Sequence, residues 1–460
     1  MSNNEHTVIL GGGVIGLSIA YHLSQEPDFK RQIHIVDSST RLLESASGYA
    51  GGFLARDWFL DPVAALGDLS FQLHRQLADK YQGQKRWGYA GSHVYSLDVE
   101  GAPEGGGGVD WLLAGTSRAQ AAAGRRTYGH VSGPEEAVNE DGTPAWITPQ
   151  VGASWGIVSS VEDCAQVEPR RLCEFLLSEC RRMGVRFHLG TRATRVEGNA
   201  SGEGSILELE ANEEGTGPDV LHCSDIIIAA GCWTPRVFQT MFPQSRIKVE
   251  IDSLAGHSVL YKSPRYVKPF LNVAHGIDGK AHSKDENISY AIYCPQTKDW
   301  SYAPEAYARL NADGAPEIWV GGLNHDSTEI PLPELATDAK KLINKESIAG
   351  LRKTAVQLTG LKGPDSKIVE DDLEVITEAL CFRPVSKSGV PIIGEVSSRD
   401  LYGPAHKARS AKVWIASGHG PWGISLSLGT GAVMSDLLLG RESRVDISGM
   451  KVESPVLSKL

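Results

Sequence analysis

The hydrophobic pattern opens with a short apolar run, Thr7 to Leu10, then three glycines, then apolar positions at helical spacing. Ile15, Ile19 and Leu23, with the small Ala20, predict a helix that packs one face on a sheet. A second strand, "RQIHIVDSS", ends at Asp37, so these elements predict a parallel strand–helix–strand unit. Near residue 167 the pattern is helical again. Pro169 suits the first turn, Leu172, Leu176, Cys180 and Met183 form a buried stripe, and Gly184 ends it. "VRFHLG" and "TRATRVEG" alternate as strands, and "CSDIIIAAGCWTP" contains an apolar strand from Ile226 to Ala230. Residues 245–375 read as strands with polar interruptions, and a helical stretch lies around 334–360. "AKVWIASGHGPWGISLSLGTGAVMSDLLLG" then reads as strand, glycine-rich turn and helix, while the Gly- and Ala-rich residues 101–126 predict a surface excursion.

The glycines carry the first chemistry. Gly11, Gly13 and Gly16 lie between the first strand and helix, and Asp37 ends the next strand 21 residues later. In such a unit the first glycine permits a tight turn, the second admits a pyrophosphate, and the third lets helix and strand pack closely. The helix start at Val14 and Ile15 offers amide donors and the positive end of the helix dipole, and Asp37 with Ser38 faces a ribose diol. The pattern predicts a dinucleotide, either NAD or FAD.

Composition narrows the partners. With 460 residues the chain exceeds one simple core, and a net charge of -11 argues against nucleic acid or an anionic membrane surface. No apolar stretch reaches the roughly 18 residues of a membrane span, and the early first strand leaves no room for a secretory signal. Seven cysteines without a C-x-x-C pair predict neither a disulfide framework nor a zinc site, hence no metal. The terminal Ser458-Lys459-Leu460 is the tripeptide a peroxisomal import receptor reads, so a peroxisomal location is expected, otherwise a cytoplasmic one.

Further motifs resemble the FAD-dependent amine and amino-acid oxidases, the group of D-amino-acid oxidase, glycine oxidase and sarcosine oxidase. "SASGYAGGFLARDW" resembles the loop that wraps the pyrophosphate and flavin side of FAD, and Ser47, Gly48, Gly51 and Gly52 match it; Ala50 stands where the family often has Asn. "VEPRRL…MGVRF", with the strand carrying Val196, is similar to the helix and strand near the adenine. "IIIAAGCWTP", with Ala230, Gly231 and Trp233, resembles the turn under the cofactor. "CFRPVSKSGVPIIG" resembles the family's Arg-Pro segment, and "ASGHGPWGISLSLGTG" its last flavin-contacting loop, with Gly418, Gly420, Gly423 and Ile424. The likeness covers residues 1–60, 165–236 and 380–440 and is nearest to a fungal-type branch of uncharacterised oxidoreductases.

The resemblance implies an α/β fold with a Rossmann-type FAD-binding domain around a parallel sheet, plus a mixed, mostly antiparallel substrate domain. Expected boundaries are 1–90, 155–245 and 375–445 for the first, 91–154 and 246–374 for the second, and 446–460 for a tail. Arg383 is expected to grip a substrate carboxylate through two parallel hydrogen bonds, with an internal ion pair as the alternative. Cys381 has two readings: a thioether to the flavin, as in sarcosine oxidase, or a small core residue beside free FAD. His419 is either a flavin hydrogen-bond partner or structural, and Trp422 either walls the pocket or is core. Arg56, His257 and His325 are further pocket candidates. The expected reaction is oxidation of an amine or amino acid at its C–N bond, with O2 as the final acceptor and peroxide as product. Three alternatives stand: a flavin dehydrogenase of a 2-hydroxy acid, a non-enzymatic flavoprotein, and an NAD-dependent enzyme.

Overall fold

The apolar strand Asp219–Ile228 takes the centre of an eight-stranded sheet. The computed structural model describes residues 6–99, 144, 146–148, 153–159, 161–198, 204–211, 219–266, 287–297, 300–362, 369–403 and 410–452. In it, Asp219–Ile228 pairs in parallel with His6–Leu10 on one side and Lys412–Ser417 on the other. His6–Leu10 pairs in parallel with Gln32–Asp37, which pairs with Arg186–Leu189. Ile392–Val396 closes one edge in the antiparallel sense, and Thr191–Gly198 and Ser205–Ala211 form a meander off the central strand. Burial on both faces explains why Ile226, Ile227 and Ile228 follow one another without polar alternation.

The first helix, Val14–Gln25, differs from a one-faced surface helix: nine of its 12 residues are buried. The C-terminal helix Gly423–Leu438 covers its other side, and the two approach so closely that a Cβ on Gly431 would stand 2.5 Å from the Ser18 carbonyl oxygen. Helix Pro169–Arg182 buries Leu172, Leu176 and Cys180 as the period predicts. Met183 departs from that stripe. The chain leaves helical geometry there and Gly184 turns at φ 83°, so Met183 is 39% exposed.

A second sheet of ten strands holds Ile251–Lys262, Pro316–Gly321, Glu305–Leu310, Ile288–Tyr293 and Ala90–Val99 in that order. Its pairings are antiparallel except between Ile288–Tyr293 and Ala90–Val99. The strand Glu374–Ser386, whose residues from 375 on are expected in the FAD-binding domain, pairs along its length with Ile251–Lys262 of the second sheet. The stretch around 334–360 divides into a 3-10 turn, Ala336–Leu342, and a helix, Lys345–Thr359. Asn344 separates them, its side chain accepting the Glu346 and Ser347 amides at 2.8 and 3.0 Å. Residues 101–126 and Ser458 to Leu460 lie outside the described residues. All seven cysteines are buried and free. Among the described residues no helix is long and apolar enough to cross a membrane.

Candidate active site

The strand–glycine–helix unit forms one end of a cavity of about 440 Å3 that runs between the two sheets. Gly11, with φ 116°, turns the chain against Ala229, and a Cβ on Gly16 would overlap the Gly11 carbonyl oxygen. Both glycines therefore set strand against helix, while Gly13, Val14 and Ile15 line the cavity at the helix start. A helix start leaves its first amides without intrahelical acceptors, and Ser47 Oγ takes the Val14 amide at 2.9 Å. Asp37 and Ser38 line the same end. The Asp37 carboxylate accepts the Gly12 and Ser39 amides, each at 2.8 Å. Burial pushes this carboxyl above its ordinary range, and those two amides partly oppose the shift.

A second helix start opens on the other end. Gly420, Gly423 and Ile424 line the cavity at the head of Gly423–Leu438, as does His419. His419 Nε2 lies 3.0 Å from Thr430 Oγ1, and Nδ1 is buried with no hydrogen-bond partner among the described residues. Burial pushes this imidazole down to about 3, so the ring is neutral at any ordinary pH. Ala230, Gly231, Cys232 and Trp233 form a wall between the two ends, and Trp233 Nε1 donates to the Pro333 carbonyl at 2.8 Å.

Cys381 and Arg383 sit on one face of the strand Glu374–Ser386 and both line the cavity. Arg383 forms no ion pair with any carboxylate among the described residues. Among the described residues its one side-chain hydrogen bond runs from Nη1 to the Asn324 side-chain oxygen. The guanidinium lies across Gly256 of the neighbouring strand, where a Cβ would overlap it. Among the described residues a neutral amide stands where the expected alternative, an internal salt bridge, would put a carboxylate. Burial raises the Cys381 thiol pKa, with the Arg383 charge opposing it.

Other sequence candidates stand back from the cavity. Gly48, Gly51 and Gly52 hold the loop to its surroundings: Gly51 packs on Tyr307 and Trp319, and Arg309 Nη1 donates to the Gly51 carbonyl. Val196 packs beside the core of the first sheet, and Thr191 to Thr194 of its strand line the cavity instead. Gly418, at φ 80°, makes the turn against Ser386, and Trp422 meets the Phe59 ring edge-on at 4.9 Å. Arg56 pairs with Asp68 and Asp163, His257 Nε2 accepts the Asn344 amide at 2.9 Å, and His325 contacts Glu329 and Ser347. Each has a structural role away from the cavity wall.

Sequence reasoning missed Cys232, the loop Arg41 to Glu44, and a rim formed by Arg236 with Glu334 to Ala336. Arg236 Nη1 meets Glu334 Oε2 at 2.6 Å across 98 residues of chain, a pairing no local pattern announces. Leu43 had a local signal only in its setting, a serine-flanked turn; it adopts φ 66°, and Arg170 Nη2 donates to its carbonyl at 2.9 Å.

The chain matches the FAD dependent oxidoreductase family over residues 6–437. It is 27% identical to a Schizosaccharomyces pombe protein provisionally named an oxidoreductase, over 95% of this chain and 95% of that one. The fold resembles that of glycine oxidase from Geobacillus kaustophilus with a TM-score of 0.65 at 17% identity, covering 98% of this chain and 99% of the other. It also resembles iminodiacetate oxidase from Chelativorans sp. BNC1, with a TM-score of 0.61 at 16% identity, covering 98% and 100%. The cavity fits FAD on its own chemistry. Two helix starts face it, an acid stands at the ribose end, and a ring nitrogen without a partner among the described residues stands at the other.

Proposed function

From the chain's membership of the FAD dependent oxidoreductase family, we propose that it is an oxidase of an amino acid or a related carboxylated amine. The observation that carries this reading is Arg383, a cavity-lining guanidinium with no carboxylate partner among the described residues. A buried or half-buried cation without an answering anion costs several kcal/mol, which a bound carboxylate offsets. The names of two similar folds, glycine oxidase and iminodiacetate oxidase, also point to amines that carry carboxylates.

Bound in the cavity, FAD would supply a two-electron acceptor for C–N oxidation, with O2 as the proposed final acceptor and hydrogen peroxide as the proposed product. Gly13, Val14 and Ile15 would hold its pyrophosphate, Asp37 its ribose, and His419 with the start of Gly423–Leu438 its ring end. Arg383 fixes the substrate carboxylate and so the direction of the reacting carbon, and Trp233 and Cys232 exclude water from one side. Orientation of this kind carries much of the catalysis, so no acid–base dyad is required. His419, held neutral by burial, adds a dipole and not a charge.

The experiment is a peroxide-release screen of amino acids and amines with the purified holoenzyme in air. Replacing Arg383 by Ala is expected to raise the Michaelis constant for carboxylated substrates by about 100-fold or more, on the cost of losing a bidentate charge-assisted pair. Unchanged kinetics would remove Arg383 from the site. Oxidation of 2-hydroxy acids with an artificial acceptor, and none of amines in air, would replace the oxidase reading with a dehydrogenase. Ser458-Lys459-Leu460 is proposed to direct the chain to the peroxisome through its import receptor. Deleting the tripeptide from a fluorescent fusion should leave it outside that organelle.

A further inference from the structure

Arg383 reaches its position across three strands. Leu254 stands opposite Arg383 in the register, Gly256 opposite Cys381, and Asn324 opposite Gly256 on the far side. The arginine therefore leans over the one position without a side chain to meet Asn324 Oδ1. A guanidinium only donates, so the amide must turn its oxygen inward. The Asn324–His325 strand is itself fixed. His325 Nδ1 lies 3.1 Å from Glu329 and Nε2 3.1 Å from Ser347, and the His257 amide donates to the Leu323 carbonyl at 3.2 Å. Asn324 is a rigid support for Arg383.

Its neutrality is the decisive property. The guanidinium is oriented at Nη1 yet keeps its full charge, while Nε and Nη2 make no hydrogen bond to a described residue. The nearest acid along the neighbouring strand, Asp252, accepts from Ser327 Oγ at 3.1 Å and lies outside ion-pair distance of Arg383. An Asp or Glu at 324 would hold the arginine equally well but would neutralise it and repel an incoming carboxylate. We propose that Asn324 is a positioning residue that sets specificity for carboxylates: it orients Arg383 through a neutral amide and leaves its charge for the substrate. This inference rests on the carboxylate-clamp reading of Arg383 given above, and not on which amine is oxidised or on the role of O2.

The test separates the two. Holoenzyme is titrated by calorimetry with acetate and with benzoate, each against its uncharged amide, so turnover is not needed. Wild type should prefer each carboxylate to its amide, and Arg383→Ala should abolish the preference. Asn324→Asp should weaken carboxylate binding by about 100-fold with little change for the amides, since like charges face each other in a half-buried site and Arg383 is neutralised. Asn324→Ala, which frees the guanidinium without neutralising it, should weaken carboxylates by only about 10-fold, the scale of one charge-assisted hydrogen bond, and keep the preference. Flavin content and circular dichroism establish that each variant is folded. Carboxylate binding by Asn324→Asp equal to wild type would overturn the role of Asn324 while leaving the clamp intact. Failure of wild type to prefer either carboxylate, or its survival in Arg383→Ala, would overturn the clamp and this inference with it.

Discussion

Cys381 lies two residues before Arg383 on the same strand face, lines the cavity, and neighbours the Cys232 thiol. A thioether to the cofactor requires the thiolate as nucleophile. Burial raises the thiol pKa and the Arg383 charge opposes that shift without cancelling it, so the sulfur is held protonated. Non-covalent FAD is the expected outcome: acid precipitation should leave the colour in the supernatant. A yellow pellet that turns colourless in Cys381→Ser would establish the link instead. The pair was legible in "CFRP" as an arginine and a thiol in an apolar run. What the arginine touches was not, because Asn324 and Gly256 lie in other strands and neither carries a signal of its own.

The elements that could be read were those whose pattern is local. Three glycines with apolar flanks, a continuous Ile226 to Ile228 run, and a strand–turn–helix ending all appear where the spacing puts them. Apart from Met183, exposed by the local turn at Gly184, the misplacements share a cause, a partner far away in sequence. Glu374–Ser386 belongs to the second sheet because Ile251–Lys262 lies beside it, and Val14–Gln25 buries nine of its 12 residues because Gly423–Leu438 also covers it. Gly51 and Gly52 look like phosphate-loop residues but answer to Tyr307, Trp319 and Arg309. Gly16 gives the sharpest test at this level. A Val there would drive its Cβ into the Gly11 carbonyl and push the helix start from the strand. Gly16→Val should therefore purify with little or no flavin and unfold at lower temperature, whereas Gly350→Ala, in helix Lys345–Thr359 with no atom within 4 Å, should keep its flavin. Full flavin content in Gly16→Val would contradict the packing role.

The two sheets meet around the cavity, and two buried histidines tie the C-terminal helix to that junction. His74 Nε2 donates to the Ile424 carbonyl at 3.0 Å, in the first turn of the helix, and His419 sits in the turn before it. Burial lowers their pKa values from 6.5 to about 4 and about 3 respectively. Below 6.5 the unfolded chain binds protons that the native fold refuses, so stability falls as pH drops. Each histidine contributes a loss of about 1.4 kcal/mol per pH unit, ending near its native value. Above about pH 5 few exposed carboxylates titrate, so this slope should be visible in urea unfolding between about pH 6 and about pH 5. His74→Gln should reduce it by one proton; an unchanged slope would mean that His74 is not held neutral. Since His74 holds the helix start that faces the cavity and His419 ties the turn before it to Thr430, flavin release should follow the same acid limb as unfolding. Loss of flavin at a pH where the fold is still at full stability would separate the cofactor end of this helix from the histidines that anchor it.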